Sequence, residues 1–247
     1  MAEILFGDCL DLLPSVETGS VDMILCDLPY GTTRNKWDSI IPLEPLWEQY
    51  ERVIKPNGAI VLTAQTPFDK VLGVSNLSLL RYEWIWEKPA ATGFLNANKM
   101  PLKAHENVLV FYKKAPTYNP QKTTGHKPVN SYTKHTTDGT NYGATKRGIS
   151  GGGSTERHPR SVQVFSSDKQ KSALHATQKP VALMEYLIQT YTNPGELVLD
   201  NACGSGTTGV AAQNLGRDYL LMENDPESYS KATRRLQENY KVSAVGA

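Results

Sequence analysis

Four consecutive residues, Asp27-Leu28-Pro29-Tyr30, follow the apolar run Val21-Asp22-Met23-Ile24-Leu25-Cys26. They bring together a carboxylate acceptor, a main-chain carbonyl and an aromatic face at the end of what reads as a buried strand. The Asp27 carboxylate and the Leu28 carbonyl can each accept one N–H of an exocyclic amine, while the Tyr30 ring stacks on the heterocycle that carries it. Pro29 biases Leu28 toward extended geometry and so holds that carbonyl in place. The chemistry this tetrad suits is the holding of a flat, amino-bearing base such as adenine or cytosine.

A second constellation, Asp200-Asn201-Ala202-Cys203-Gly204-Ser205-Gly206-Thr207-Thr208-Gly209, lies near the other end of the chain. Gly204, Gly206 and Gly209 fit GxGxxG, and Glu223 stands at the end of the next apolar run. The order strand, turn, helix, strand, acid points to a nucleoside-containing cofactor: a tight turn, close backbone approach and a carboxylate for a ribose diol. NAD is one candidate, and a NAD-dependent oxidoreductase is the reading that follows from it. Hydride transfer, however, leaves the tetrad without work. S-adenosylmethionine also offers a ribose to Glu223 and an adenine to be recognised by its edge, and its sulfonium carries a methyl group that an amine can displace. Methyl transfer uses both constellations.

These residues need a frame. Apolar runs predict strands at 4–6, 21–26, 59–63, 82–86, 108–112, 197–200 and 219–222. Helical spacing predicts helices at 10–13, 43–54, 180–191, 207–215 and 226–240, with another starting at 67, and Lys55-Pro56-Asn57-Gly58 supplies a helix stop. The alternation predicts an α/β fold, a doubly wound and mostly parallel sheet with helices on both faces. From 114 to 172 the pattern dissolves into Gly, Ser, Thr, Asn, Lys and Pro. Ile149-Ser150-Gly151-Gly152-Gly153-Ser154 is too glycine-rich for a rigid element, and only 162–165 predicts a strand. The organisation expected is therefore two halves of one domain, 1–113 and 173–247, with 114–172 as an irregular insert.

Charge sharpens that division. The 247 residues carry a net charge of +1, yet residues 113–171 hold 11 Lys/Arg against 3 Asp/Glu, a net of +8, which leaves about −7 elsewhere. A basic island in a mildly acidic chain suits a polyanion such as nucleic acid. Its histidines, His126, His135 and His158, are isolated and read as surface or nucleic-acid contacts. Cys9, Cys26 and Cys203 lack the spacing of a disulfide framework or a zinc site, and no metal is expected. No secretory apolar region opens the chain and no run is long enough to span a bilayer, so a cytoplasmic protein with no membrane partner is expected.

The chain resembles the β-class amino DNA methyltransferases, which methylate N6 of adenine or N4 of cytosine. The resemblance rests on Gly7-Asp8-Cys9-Leu10, on residues 22–31 around the tetrad, and on His105-Glu106-Asn107-Val108-Leu109-Val110-Phe111. It continues through His175-Ala176-Thr177-Gln178-Lys179-Pro180, Leu199-Asp200 to Thr208, and Glu223 with Tyr229. The order of the motifs, catalytic tetrad first and cofactor glycines last, is that of the family. It implies a Rossmann-like methyltransferase fold with circularly permuted motifs, S-adenosylmethionine as cofactor and a target-recognition insert.

By the same resemblance, Asp27, Leu28, Pro29 and Tyr30 are catalytic. Asp200, Cys203, Gly204, Ser205, Gly206 and Thr207 line the methionine end of the cofactor, and Glu223 takes the ribose hydroxyls. Asp8 and Cys9 lie near the cofactor's adenine, and Lys179 meets its carboxylate. Asp at the first tetrad position is typical of adenine-specific members, so N6 of a flipped adenine is the expected target and cytosine N4 the alternative. Two departures stand out: Leu28 where Pro is usual, and Asn201-Ala202 where Pro-Phe is usual.

Double-stranded DNA is the partner implied, and a homodimer and a companion restriction endonuclease are associations the family suggests. Arg34, Lys36, Lys146, Arg147, Arg157 and Arg160 are the candidate DNA contacts, with affinity expected to fall steeply with salt. Trp84 and Trp86 read as core or pocket wall, and His105 and Glu106 as structural.

Overall fold

The computed structural model describes residues 1–31, 38–134, 149–166 and 178–245. Its contacts divide the chain into a large unit, Met1–Asn119 with Ser161–Ala247, and a small one, Pro120–Arg160.

In chain order the elements are β1 (Ala2–Phe6), α1 (Cys9–Leu12), β2 (Val21–Cys26), α2 (Leu43–Val53), β3 (Ile54–Ala64), α3 (Phe68–Ser75), β4 (Leu80–Thr92) and β5 (Lys103–Phe111). The small unit contributes β6 (Tyr132–Lys134) and β7 (Ile149–Gly151). The large unit resumes with β8 (Val162–Val164), α4 (Val181–Tyr191), β9 (Leu197–Asp200), α5 (Thr207–Asn214), β10 (Asp218–Glu223) and α6 (Pro226–Val245).

Eight strands form one sheet in the order β1-β10-β9-β2-β3-β5-β4-β8. The first five in that order run parallel, β5 is antiparallel to both its neighbours, and β8 returns parallel to β4. The apolar run of β2 explains its central place. Val21, Ile24 and Cys26 enter the core layer containing Trp47, Tyr50 and Phe68 from α2 and α3. Met23 and Leu25 enter the opposite layer with Leu187, Tyr191, Val210 and Leu236 from α4, α5 and α6. A strand buried on both faces cannot alternate with polar residues, and this one does so only at Asp22.

The register Ile24 to Leu199 sets β2 beside β9, so their carboxyl ends emerge side by side. From β2 the chain passes toward β3 on one side, and from β9 toward β10 on the other. Such a point of diverging connections leaves a crevice outside the strand ends, where ligands of open α/β sheets bind.

Two expectations need correction. Lys55-Pro56-Asn57-Gly58 does not close a helix in a turn; α2 ends at Val53, and the four residues belong to β3. Pairing jumps there from Val21–Ile54 to Met23–Ala59, and Gly58 packs so closely that a Cβ would lie 2.8 Å from the Asp22 carbonyl oxygen. The glycine-rich segment near 149 is also not structureless, because Ser150 and Gly151 pair with Thr133 and Tyr132 in β6.

The small unit, Pro120–Arg160, falls inside the segment 114–172 read as the insert. Asn119 is tied to the end of α4 by its N–H to the Thr190 carbonyl (2.7 Å), and β8 pairs with β4.

Candidate active site

Both motifs found in the sequence open onto one cavity of about 790 Å³. Asp27 leaves the carboxyl end of β2, and the glycine turn leaves the carboxyl end of β9. Asp27, Tyr30, Asp200, Gly204, Ser205 and Glu223 all line the cavity, as do Asp8 and Cys9 from the end of β1 and the start of α1.

The Asp27 carboxylate is held at both oxygens. Oδ1 accepts the Tyr30 hydroxyl at 2.6 Å and the Thr63 hydroxyl from β3, and Oδ2 accepts the Lys179 ammonium at 2.6 Å. Tyr30 is backed by Phe68, with ring centroids 5.4 Å apart and planes 27° from parallel, so its ring has a fixed orientation. Burial and the neighbouring Asp27 charge push the Tyr30 phenol well above its ordinary range, so it serves as a neutral donor. Leu28 is buried, which anchors the peptide carrying the expected carbonyl acceptor. Gly31 adopts the left-handed φ of +67°, and its N–H donates to Asp38 Oδ1 at 2.9 Å.

Lys179 does more than sequence suggests. Its ammonium also lies 3.2 Å from Glu106 Oε2, and Lys88 pairs with the other Glu106 oxygen. The side chain is only 7% exposed. Burial opposes its charge, but Asp27, Tyr30 and Glu106 outweigh that and hold its pKa well above the usual lysine range. Burial likewise opposes the Glu106 charge, and the two ammonium groups hold its pKa below the ordinary carboxylate value. Glu106, expected to be structural, is thus part of an ionic chain reaching Asp27.

The glycine turn is built from the backbone outward. Gly204 and Gly206 have φ of +53° and +76°, values that a side chain would strain. Gly209 is fixed by packing: a Cβ there would lie 2.6 Å from Leu221 and 2.8 Å from Leu236. Asp200 accepts the Thr208 hydroxyl at 2.6 Å and the Ala202 N–H at 3.1 Å, closing the turn on itself. Glu223 Oε2 accepts the Gly204 N–H and Oε1 the Asp225 N–H, each at 2.8 Å. Tyr50, on the buried side of α2, donates to Asn201 Oδ1 at 2.5 Å. Asp8 caps α1 by accepting the Leu10 N–H at 2.8 Å.

Buried polar atoms without protein partners also face this space. Both amide atoms of Gln178 and the Nδ2 of Asn201 make no hydrogen bond, and both residues line the cavity. Such atoms are costly unless a ligand or water completes them. Together with the carboxylates of Glu223 and Asp8, they suit a polar, nucleoside-sized molecule.

Among the remaining candidates, Trp84 and Trp86 are both buried, and Trp86 lines the cavity. Arg157, expected to contact DNA, spends three hydrogen bonds on carbonyls of its own unit: those of Ser154, Glu156 and Lys127. Arg160 is exposed. Arg34, Lys36, His135, Lys146, Arg147 and His175 lie outside the described residues. Among the described residues no group of His, Cys, Asp and Glu is arranged to hold a metal, and no helix is long and apolar enough to cross a membrane.

Comparison with known proteins agrees with this geometry. Residues 21–234 match the family model described as DNA methylase, covering both motifs and everything between them. The chain belongs to this N6/N4 DNA methylase family. It is 28% identical to the type II methyltransferase M.BglII of Bacillus subtilis, over 90% of this chain and 65% of that protein. It is 27% identical to the DNA adenine methyltransferase YhdJ of Escherichia coli (strain K12), over 94% of this chain and 82% of that one. The fold matches the M1.HpyAVI–SAM complex with a TM-score of 0.65 and 23% identity, covering 96% of this chain and all of that one. It also matches the cytosine-N4-specific PvuII DNA methyltransferase with a TM-score of 0.69 and 16% identity, covering 97% and 91% of the two chains. Membership of this family removes the NAD-dependent oxidoreductase as a reading of the glycine turn.

Asp200 makes the site sensitive to pH. Burial pushes its carboxyl up to about 6, against hydrogen bonds from Thr208, Cys26 and the Ala202 N–H. In the unfolded chain it ionises in the ordinary aspartate range. Between those values the folded state binds the proton more tightly, so stability is gained as pH falls through 6 and lost as it rises. Asp200→Asn removes this dependence. The stability of wild type relative to that variant is expected to fall by about 2 kcal/mol from pH 4 to pH 7. Denaturant unfolding of both proteins across that range checks it, and parallel pH curves would refute it.

Proposed function

We propose that this chain is a site-specific DNA methyltransferase acting on N6 of an adenine extruded from duplex DNA. The observation that carries the reading is the opening of the tetrad and the glycine turn onto one cavity. S-adenosylmethionine, the methyl donor of the family, supplies an electrophilic methyl group on a sulfonium. Asp200, Cys203, Gly204, Ser205, Gly206 and Thr207 would hold its methionine end, Glu223 its ribose, and Asp8 and Cys9 its adenine.

The rest is work for the chain's own residues. An aromatic amine is a poor nucleophile, because its lone pair is delocalised into the ring. N–H bonds to Asp27 and to the Leu28 carbonyl draw the nitrogen toward tetrahedral geometry, and the carboxylate stabilises the positive charge that develops there. Thr63 and the Tyr30 hydroxyl fix the carboxylate from behind at Oδ1. The Tyr30 ring, backed by Phe68, faces the base and replaces part of the stacking lost on extrusion. No strong base is required, since the methylated ammonium sheds its proton readily to solvent.

Adenine is favoured by Asp at the first tetrad position and by similarity to YhdJ. Similarity in fold to the PvuII enzyme keeps cytosine N4 as the second reading. The test is to incubate the protein with duplex DNA and methyl-labelled S-adenosylmethionine, digest to nucleosides and identify the labelled product. N6-methyladenine is expected. N4-methylcytosine would transfer the assignment to cytosine, and absence of label in DNA would overturn the enzymatic reading.

A further inference from the structure

The Asp27 carboxylate has a rival claimant for the amine's position. Its Oδ1 is taken by two hydroxyls, so an incoming amine must engage at Oδ2. There the Lys179 ammonium already lies at 2.6 Å, and at 5.4 Å from the centre of the Tyr30 ring. A cation in that place offers the same donors as the target amine, to the same oxygen and beside the same aromatic face. It also cancels the negative charge that is meant to stabilise the nitrogen as it becomes cationic.

A second carboxylate stands within reach. Glu106 Oε2 is 3.2 Å from the same ammonium, too poorly aligned to count as a hydrogen bond. Glu106 projects from β5, and its other oxygen is anchored by Lys88 on the neighbouring strand β4. Lys88 in turn lies over the Trp86 ring, 4.7 Å from its centre. Glu106 and Lys88 are 11% and 17% exposed, so water screens the chain weakly. Two lysines and two carboxylates alternate as Lys88, Glu106, Lys179, Asp27. The charges balance whether Lys179 leans on Asp27 or on Glu106. Only a small movement of one flexible side chain separates the two arrangements.

We propose that Glu106 is a positioning residue that takes the Lys179 ammonium from Asp27 as the target amine engages, leaving the Asp27 charge to the reacting nitrogen. This rests on the methyltransferase reading above. It assigns Glu106 and Lys88 a part in the reaction, and it gives Lys179 a partner other than the cofactor's carboxylate.

The test measures methyl transfer to duplex DNA at saturating S-adenosylmethionine for Glu106→Gln, Lys179→Met and the double variant. Glu106→Gln leaves Lys179 with Asp27 as its sole carboxylate, and kcat is expected to fall roughly 10- to 100-fold. Adding Lys179→Met removes the competitor, so the double variant is expected to be faster than Glu106→Gln alone. A structural role for Glu106 predicts the opposite order, because a second lesion would add to the first. A double variant no faster than Glu106→Gln therefore overturns the proposal.

So does a Lys179→Met variant whose only change is a raised KM for S-adenosylmethionine, which would assign that lysine to the cofactor. Glu106→Asp keeps the charge beside Lys88 but shortens its reach, and the same reversal by Lys179→Met is expected from it. That pair carries the test where Glu106→Gln does not fold. Failure of the wild-type protein to label DNA would instead bring down the functional reading on which the proposal stands.

Discussion

Asp27→Ala is expected to lower the rate of methyl transfer by on the order of 10²–10³ or more, with S-adenosylmethionine still bound. The substitution removes the acceptor for the target amine and the charge that stabilises it. Its structural cost is contained. Lys179 keeps Glu106 as a counter-ion, and the Thr63 and Tyr30 hydroxyls lie 3.0 Å apart and retain each other. The glycine turn hangs on Asp200 and Glu223, neither of which bonds to Asp27.

Asp27→Asn is expected to be nearly as severe despite its shape. Its amide nitrogen cannot donate to the lysine ammonium, and if it turns toward Thr63 and Tyr30 their hydroxyls must become acceptors; in either case the charge that stabilises the amine is gone. Single-turnover incorporation of labelled methyl gives the rate, and calorimetric titration with S-adenosylmethionine gives the affinity. Full turnover by Asp27→Ala would remove that residue from the reaction.

The parts of this site legible in sequence are those that leave a local signature. A doubly buried strand leaves a continuous apolar run, so β2 and its terminal tetrad stand out. A turn that needs left-handed backbone leaves glycines at fixed spacing, so Gly204 and Gly206 stand out together with the acid one strand later. Thr63, Lys88 and Glu106 leave no such mark. Thr63 is an ordinary β-branched strand residue until β3 is laid beside β2. Glu106 meets Lys88 only through the antiparallel pairing of β4 with β5. Tyr50 and Asn201 are 151 residues apart, and periodicity gives Tyr50 a core position without revealing what its hydroxyl reaches.

Lys55-Pro56-Asn57-Gly58 misleads for a related reason. Pro and Gly are turn residues by propensity, yet here the glycine is required by close approach of the Asp22 carbonyl inside a sheet. The motif marks Lys179 without saying which side chains its ammonium meets. In the folded chain these are the carboxylates of Asp27, at 2.6 Å, and Glu106, at 3.2 Å.

Glu223→Gln is expected to raise the Kd for S-adenosylmethionine by about 10²-fold while leaving kcat at saturating cofactor close to wild type. Glu223 is 9% exposed, and each of its carboxylate oxygens already accepts a backbone N–H, from Gly204 and from Asp225. An ionised carboxylate has four acceptor sites, so two remain for a ribose diol. The glutamine amide has acceptor capacity at one end only. Whichever way it is turned, its nitrogen confronts one of the two backbone N–H groups. If it faces Gly204, the turn loses its anchor where φ is +53° and the backbone is least constrained by side chains.

A lost charge-assisted bond costs about 1.5–3 kcal/mol, and each 1.4 kcal/mol is a tenfold change in Kd. Calorimetric titration measures the effect, with the ligand-free melting temperature of each protein reporting whether the turn itself has collapsed. Because Glu223 touches neither Asp27 nor Tyr30 in the hydrogen-bond network, the loss should fall on cofactor affinity and not on the chemical step. Unchanged affinity in a folded Glu223→Gln would mean that this carboxylate serves the turn alone and that the ribose is read elsewhere.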